Sequence, residues 1–385
     1  MRVRLYGVVA LSFLFLINSL CLFHYEAYPA EQKVVFRTEK GTQVVYNPKD
    51  PTPPPGGPSS VVLKQDLVIG HQTENKEYMF FDLRSIQVDD KENMYVLDWK
   101  EIKIKVFDKN GKFLKSFGKR GQGPGEMSMP IRMEITPENV LVIDDLGNTK
   151  LILYSHDGTF IKEIPTGKYW SSISFKFDSK GHIYADTRSY GETMTSELKK
   201  FDSNLKPLAT LVTFKEKRNP SVNQAFMTRI SHNVTKDDNL IWLITSKYEL
   251  SVVNGEGKTI KKIVKDHYPS RITKKIKEDL IKEEFGDRGI PPGMTFEVPS
   301  HFPPTRYFIV DDEGRIFVCT YEYEEKENVY YIYYDVFDAE GRYIAKFLHP
   351  QEEIVFVAKK NKIYCLERES EEGIPLVKRY RMVWK

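Results

Sequence analysis

Four arginines recur at nearly the same place in a repeated pattern, and arginine is well suited to binding anions. Each arginine stands four to six positions before a polar residue that ends a predicted strand. The pairs are Arg84 with Asp89, Arg132 with Thr136, Arg229 with Thr235, and Arg306 with Asp311. A guanidinium binds carboxylate, sulfate or phosphate through parallel hydrogen bonds. If these side chains converge, the pattern predicts a site for an anionic ligand.

Two further residues are candidates for the same site. Trp99 lies on a neighbouring predicted loop, where its ring could stack on a ligand or be wedged between repeats. His232 enters a predicted inner strand. The alternative for the arginines is ion pairing with acidic residues of loops on the same face: Asp98, Asp144, Asp145, Asp186 and Glu367.

Catalytic and metal-binding patterns are weak in this sequence. His71, His232 and His301 precede or enter inner strands, but their offsets differ and no HxH or HExxH spacing is present. The sequence also lacks a GxSxG motif and a P-loop. We therefore expect no catalytic residue, no metal and no cofactor.

The elements that must position these residues form a repeat. Residues 86–118, 133–164, 175–211 and 308–347 each read as four short strands separated by turns rich in Asp, Asn and Gly. Residues 232–264 are a weaker copy, and residues 354–384 are a copy with only three strands. Repeats of this length with four strands each are typical of propeller blades. The sequence predicts an all-β, six-bladed propeller of antiparallel blades.

Two segments depart from the repeat. Residues 60–70 form a strand before the first complete blade, and we expect this strand to complete the sixth blade and close the ring. Residues 266–304 form an insertion between blades 4 and 5 that contains a predicted helix, with a cap at Ser270 and a stop at Gly286. The insertion is either a decoration packed on the ring, or a lid or partner-docking element.

The glycine-rich stretch "GKRGQGPGEM" at residues 118–127 suggests a phosphate-binding loop. Such a loop needs a strand before it and a helix after it. Here the flanking sequences "FLKSF" and "IRMEIT" both read as strands. We interpret the stretch as a connector between blades, on the face of the candidate site.

The N-terminal region has the pattern of an export segment. Arg2 and Arg4 precede an apolar run from Leu5 to Phe23, so residues 1–30 are predicted to be a signal peptide or a membrane anchor, with lipidation at Cys21 a further alternative. Residues 31–59, rich in Pro and Gly, are interpreted as a tether to a propeller at residues 60–385. The folded part is then extracytoplasmic: periplasmic, on the cell surface or secreted.

Composition narrows the class of partner. The 57 basic and 54 acidic residues leave a net charge of only +3 without a basic block, so we expect no nucleic-acid partner. A hydrophobic content of 41% predicts a globular chain, which we expect to be a monomer. Cys319 and Cys365 are interpreted as buried small hydrophobic residues, with a disulfide as the alternative.

One stretch resembles a known family. "VFDKNGKFLKSFGKRGQGPGEMSMP" followed by "ITPENVLVIDD" resembles the NHL repeat, and particularly the six-bladed NHL-type propellers of bacteria. The resemblance is sharp over residues 79–164 and general elsewhere. It implies a six-bladed propeller, in a family that ranges from protein- or RNA-binding platforms to a few lyases.

These features support three functional hypotheses. The first is a non-catalytic binding or scaffold protein, whose Arg-lined channel mouth takes an anionic small molecule, a glycan or a protein segment. The second is a lyase or hydrolase, with or without a metal, that uses the same mouth. The third is a purely structural interaction module of an envelope complex.

Overall fold

The computed structural model describes residues 33–71, 74–167, 174–217, 222–327, 329–370 and 372–385. The predicted export segment at residues 1–30 lies outside these ranges. In the ranges described, no helix has the length and apolar character needed to cross a membrane.

Strands are numbered in chain order. Three precede the first complete blade: β1 (Val35–Glu39), β2 (Thr42–Asn47) and β3 (Val61–Ile69). Blade 1 contains β4 (Leu83–Val88), β5 (Met94–Asp98), β6 (Lys103–Phe107) and β7 (Phe113–Phe117). Blade 2 contains β8 (Pro130–Ile135), β9 (Leu141–Asp145), β10 (Lys150–Tyr154) and β11 (Phe160–Pro165). Blade 3 contains β12 (Phe175–Phe177), β13 (Ile183–Ser189), β14 (Thr193–Phe201) and β15 (Pro207–Lys217).

The second half repeats this plan around an insertion. After β16 (Val222–Gln224), blade 4 contains β17 (Ile230–Val234), β18 (Leu240–Ile244), β19 (Glu249–Val253) and β20 (Thr259–Lys265). The insertion contains helix α1 (Lys274–Phe285), a 3-10 turn (Gly286–Arg288) and β21 (Thr295–Glu297). Blade 5 contains β22 (Thr305–Val310), β23 (Ile316–Lys326), β24 (Val329–Phe337) and β25 (Tyr343–Pro350). Blade 6 begins with β26 (Glu353–Lys359), β27 (Lys362–Glu367) and β28 (Leu376–Trp384).

The predicted six-bladed propeller is confirmed. Each blade contains a four-stranded antiparallel sheet with its strands in order from the inside outward. The hydrophobic core lies largely between neighbouring blades, as where Tyr95 of blade 1 packs with Met133 and Ile143 of blade 2. Each blade therefore buries its faces only against its neighbours, which is why the repeats must close into a ring.

Strand β3 completes blade 6, as the sequence predicted. It pairs antiparallel with β28, from Ile69 opposite Val377 to Val61 opposite Trp384. An ion pair of 2.8 Å between Arg379 and Asp66 links the same two strands. The strand that precedes blade 1 and the last strand of the chain are thus joined within one sheet.

The repeated aspartates set the turns between strands. In Asp89, Oδ1 accepts hydrogen bonds from the backbone N–H groups of Lys91 and Asn93, at 2.9 and 2.8 Å. The same arrangement recurs at Asp108, Asp178, Asp202, Asp311 and Asp338. These side chains hold their own hairpin turns in place, which explains the recurrence of Asp in the sequence pattern.

Residues 35–47 fall inside the stretch that composition assigns to a tether, and they form a hairpin instead. The hairpin extends blade 4, because β2 pairs parallel with the outer strand β20. Val44 and Val45 are buried there. Pro and Gly are concentrated only from residue 48 onward, so averaging over residues 31–59 obscured the β-branched pattern before it.

Asn47 connects this hairpin to blade 5 through hydrogen bonds. It is buried, accepts a hydrogen bond from the Tyr343 backbone N–H at 2.7 Å, and donates one to the Gly341 carbonyl oxygen at 3.0 Å. Because Asn47→Ala leaves both backbone groups without these partners, we expect it to lower the free energy of unfolding by about 2 to 4 kcal/mol. Urea denaturation measures the loss. The exposed neighbour Gln43→Ala is the control, and an equal effect of both changes would contradict this role.

The insertion contains the predicted helix, but the predicted cap is wrong. Thr273, not Ser270, caps α1, because its Oγ1 accepts from the Ile276 N–H at 3.3 Å. Gly286 ends the helix at a positive φ of 65°, as expected. No side chain of α1 is fully buried. The apolar side chains of α1 therefore pack only partly against the propeller.

Candidate functional site

The arginines do not share one environment, and Arg84 is already paired. It donates to Asp82 at 2.8 Å and lies over the Trp99 ring at 5.2 Å. Arg368 lies close enough for its pKa to be lowered, first by burial and then by the charge of Arg84. Trp99 thus serves as a platform for Arg84.

Arg132 lies among carboxylates. Burial lowers the pKa of its guanidinium, and the charges of Asp144, Asp186 and Glu134 oppose this shift. Glu134 also forms an ion pair with Lys176 at 2.8 Å. This environment matches the ion-pairing alternative more closely than an anion site.

Arg306 lies over Tyr321, and the charge of Arg229 acts on the same tyrosine. The Arg306 guanidinium lies 4.3 Å from the centre of the Tyr321 ring, and its Nε has no hydrogen-bond partner among the described residues. Burial raises the pKa of the Tyr321 hydroxyl, and the charges of Arg306 and Arg229 oppose the rise. Arg229 is exposed, whereas Arg306 is half-buried. Two of the four arginines thus act on the same tyrosine.

An aromatic wall extends from this pair. The rings of Phe302 and Tyr321 are stacked at 5.2 Å, and Phe226 meets each of them edge-on at 5.2 Å. Tyr323 and Tyr330 continue the wall, with their ring centres 6.0 Å apart. In the sequence, the tyrosines of "YEYEE" at residues 321–325 are the pattern that could have indicated this wall, but the pattern also fits an ordinary strand.

The wall and α1 enclose a cavity of about 380 Å³, which we call the insertion groove. Arg306 and the aromatic wall form one side of it. The helix lines the other side with two apolar and three acidic side chains: Ile276, Leu280, Asp279, Glu283 and Glu284. A second cavity, of about 660 Å³, contains Arg229 and shares Ala225 and Glu284 with the groove. The two cavities therefore adjoin.

The central channel is different in character. Its cavity, of about 360 Å³, is lined by the far ends of the inner strands and the turns that follow them, away from the arginines. Its charges are mixed and largely paired, as in the ion pair of Lys359 with Asp90 at 2.7 Å. The channel therefore has no marked preference for anions.

The predicted histidines lie apart from the groove. His232 is buried, with Nε2 3.0 Å from the Tyr184 carbonyl oxygen, and burial lowers its pKa to about 3. His301 is exposed on the insertion, next to Ser300, and His71 is exposed near Glu372. The metal-capable group of side chains in the described ranges lies elsewhere: His349, Glu353 and Cys365.

The acidic loop residues and the glycine-rich connector have structural roles. Asp98 accepts from the backbone N–H groups of Phe81 and Asp82, and Asp145 does the same for the chain that enters blade 2. In the connector between β7 and β8, Lys119 pairs with Glu126 at 2.5 Å. This cation is therefore largely neutralised within its own loop.

Comparison with known proteins identifies the fold family. Residues 72–335 match the family DUF5128, described as a 6-bladed beta-propeller. No curated protein matches the chain at a significant level. The matched family does not carry the NHL designation, which stays a prediction.

Solved bacterial structures are similar to this chain at low sequence identity. A Bacteroides fragilis protein described as exported is 13% identical, with a TM-score of 0.52 and coverage of 89% of this chain and 99% of its own. A duf4221 family member from Bacteroides vulgatus is 12% identical, with a TM-score of 0.50 and coverage of 85% and 99%. Virginiamycin B lyase from Staphylococcus aureus is 9% identical, with a TM-score of 0.43 and coverage of 83% and 99%. The fold alone does not separate a binding protein from an enzyme. Since the family match spans most of the chain, this protein belongs to the DUF5128 family of six-bladed β-propellers.

Proposed function

We propose that the protein is a non-catalytic, extracytoplasmic binding propeller whose insertion groove takes an acidic oligosaccharide. The location rests on the export pattern of residues 1–30 and on the likeness to an exported protein of Bacteroides fragilis. The binding role rests chiefly on one observation, the half-buried Arg306 stacked on Tyr321 without an ion-pair or hydrogen-bond partner among the described residues.

A guanidinium in this state favours an anionic ligand. A partly buried cation loses hydration and needs compensating hydrogen bonds. The Arg306 guanidinium lies over the Tyr321 ring, and its planar set of donors suits a carboxylate with two parallel oxygens. Arg229, in the adjoining cavity, adds positive charge near Tyr321.

The remaining lining favours a sugar chain. Aromatic rings offer flat apolar surface on which sugar rings can stack, and pockets of this kind fix orientation with a few polar groups. Across the groove, the carboxylates of Asp279, Glu283 and Glu284 can accept hydrogen bonds from hydroxyl groups. These carboxylates would repel a small, densely charged anion. A ligand with many hydroxyls and few carboxylates suits both the side of the groove with Arg306 and the aromatic rings and the side with the α1 carboxylates.

Arg306→Gln should weaken binding of uronic-acid oligosaccharides about 10- to 100-fold, because it removes a charge-assisted contact worth about 1.5 to 3 kcal/mol. Titration calorimetry with acidic and neutral oligosaccharides of equal length measures this effect. Lys180→Gln, which removes an exposed cation from the opposite face, should leave the affinity unchanged. Equal binding of neutral and acidic chains, or a normal affinity in Arg306→Gln, would overturn the proposal.

A further inference from the structure

A compact group of three metal-ligating side chains lies at the seam between blades 5 and 6. His349 belongs to β25, Glu353 begins β26 and Cys365 lies in β27. His349 Nε2 is 3.3 Å from Cys365 Sγ and 3.3 Å from Glu353 Oε2, and the three atoms lie within 4.8 Å of one another. The relative exposures are 1%, 4% and 0%, so the group is shielded from bulk solvent.

The geometry is that of ligands around a common point, not that of a nucleophilic relay. In a relay, the two ring nitrogens of the histidine are divided between the nucleophile and the carboxylate. Here the thiol and the carboxylate both approach Nε2, which can carry only one proton. Around tetrahedral zinc, with bonds of about 2.0 to 2.3 Å, neighbouring ligand atoms lie about 3.3 to 3.6 Å apart. The observed separations of Nε2 from the other two atoms are within or close to this range.

The surroundings complete such a site. Glu353 is held by the Tyr380 hydroxyl, which donates to Oε2 at 2.7 Å, and by Lys378, which donates to Oε1 at 2.8 Å. Metal ligands are commonly oriented by partners of this kind. Lys378 also pairs with Glu367 at 2.9 Å. A divalent ion would balance the Glu353 carboxylate and a Cys365 thiolate, leaving Lys378 and Glu367 as a neutral pair.

We propose that His349, Glu353 and Cys365 bind a zinc ion that joins blade 5 to blade 6. A set of one nitrogen, one sulfur and one oxygen ligand suits zinc and excludes calcium and magnesium, which prefer oxygen ligands. The Cys365 thiol gives up its proton to solvent when it coordinates, and a water fills the fourth position. Between His349 and Glu353, the side chains of Gln351 and Glu352 are exposed.

The test uses the full chain and zinc itself. After treatment with a chelator, the wild type should take up stoichiometric zinc and melt at a temperature several degrees higher with the metal than without it. Cys365→Ser should reduce zinc affinity by more than the roughly 10- to 100-fold that loss of an outer-shell partner costs. Cys319→Ser is the matched control, since Cys319 is a buried free cysteine in the corresponding second strand of blade 5. It should bind zinc as the wild type does.

Cobalt substitution in the wild type provides a second readout that does not depend on a variant's folding. Tetrahedral cobalt bound to a thiolate absorbs strongly in the visible region and shows a sulfur-to-metal charge-transfer band. Absence of that band, failure of the chelated wild type to take up zinc, or unchanged zinc affinity in Cys365→Ser would each overturn the proposal.

Discussion

Replacement of β3 with a Gly/Ser segment of equal length is expected to abolish the cooperative unfolding transition of this protein. Strand β3 contacts both neighbours of blade 6, because Val61 packs in the cluster between blades 5 and 6 and Ile69 packs in the cluster between blades 6 and 1. Loss of a fully buried Val or Ile side chain costs about 2 to 5 kcal/mol. Eight residues of β3 also pair with β28. Together these losses approach the whole stability of a typical domain, about 5 to 15 kcal/mol.

Thermal melting followed by circular dichroism, together with gel filtration, measures the outcome. We expect a broad or absent transition and self-association, since β28 then becomes an unpaired edge. The same replacement at residues 53–58, between the hairpin and β3, is the control and should retain a sharp transition. A variant of β3 that melts like the wild type would show that the ring closes without this strand.

The fold could be predicted from the sequence because each blade is made of hairpins between neighbouring segments, and the same pattern recurs from blade to blade. Many hairpin turns are fixed by one aspartate and its own backbone, so Asp89 and Asp311 mark their turns in the sequence without reference to any distant residue. The origin of the fourth strand of blade 6 could be predicted because the last repeat has only three strands and one extra strand precedes blade 1. The hairpin at residues 35–47 was not predicted. It is attached to blade 4 by parallel pairing with β20, more than two hundred residues away, and no local sequence pattern indicates that contact.

The candidate site was predictable only in part. Sequence position could place Arg306 and Arg132 at the same end of their blades, but it could not show that Arg306 stacks on Tyr321 while Arg132 lies among carboxylates. The side-chain environment depends on neighbouring blades and on how the insertion crosses them. His349, Glu353 and Cys365 are likewise joined only by the packing of three strands, and their spacing matches no metal-binding motif.

A buried charge between blades 4 and 5 supports the last prediction. Asp335 of β24 is fully buried and accepts hydrogen bonds from the hydroxyls of Tyr248 and Tyr343, the latter at 2.6 Å. Lys265 of β20, with a side-chain exposure of 2%, places its Nζ 3.3 Å from the Asp335 carboxylate. The ammonium also lies 4.6 Å from the centre of the Tyr343 ring. The pair thus joins two blades without contact with solvent.

Lys265→Met should destabilise the protein by about 3 to 5 kcal/mol, because methionine keeps much of the apolar stem but leaves the Asp335 carboxylate buried without its cation. Lys262→Met is a matched control on the same strand: its ion pair with Glu249 is partly exposed, so its loss should cost less than about 1 kcal/mol. Urea denaturation compares the two variants. If the loss of stability arises from the unpaired Asp335 carboxylate, adding Asp335→Asn to Lys265→Met should recover part of the stability. The amide oxygen of the asparagine still accepts a hydrogen bond. A double variant less stable than Lys265→Met alone would instead place the cost in lost packing around the lysine stem.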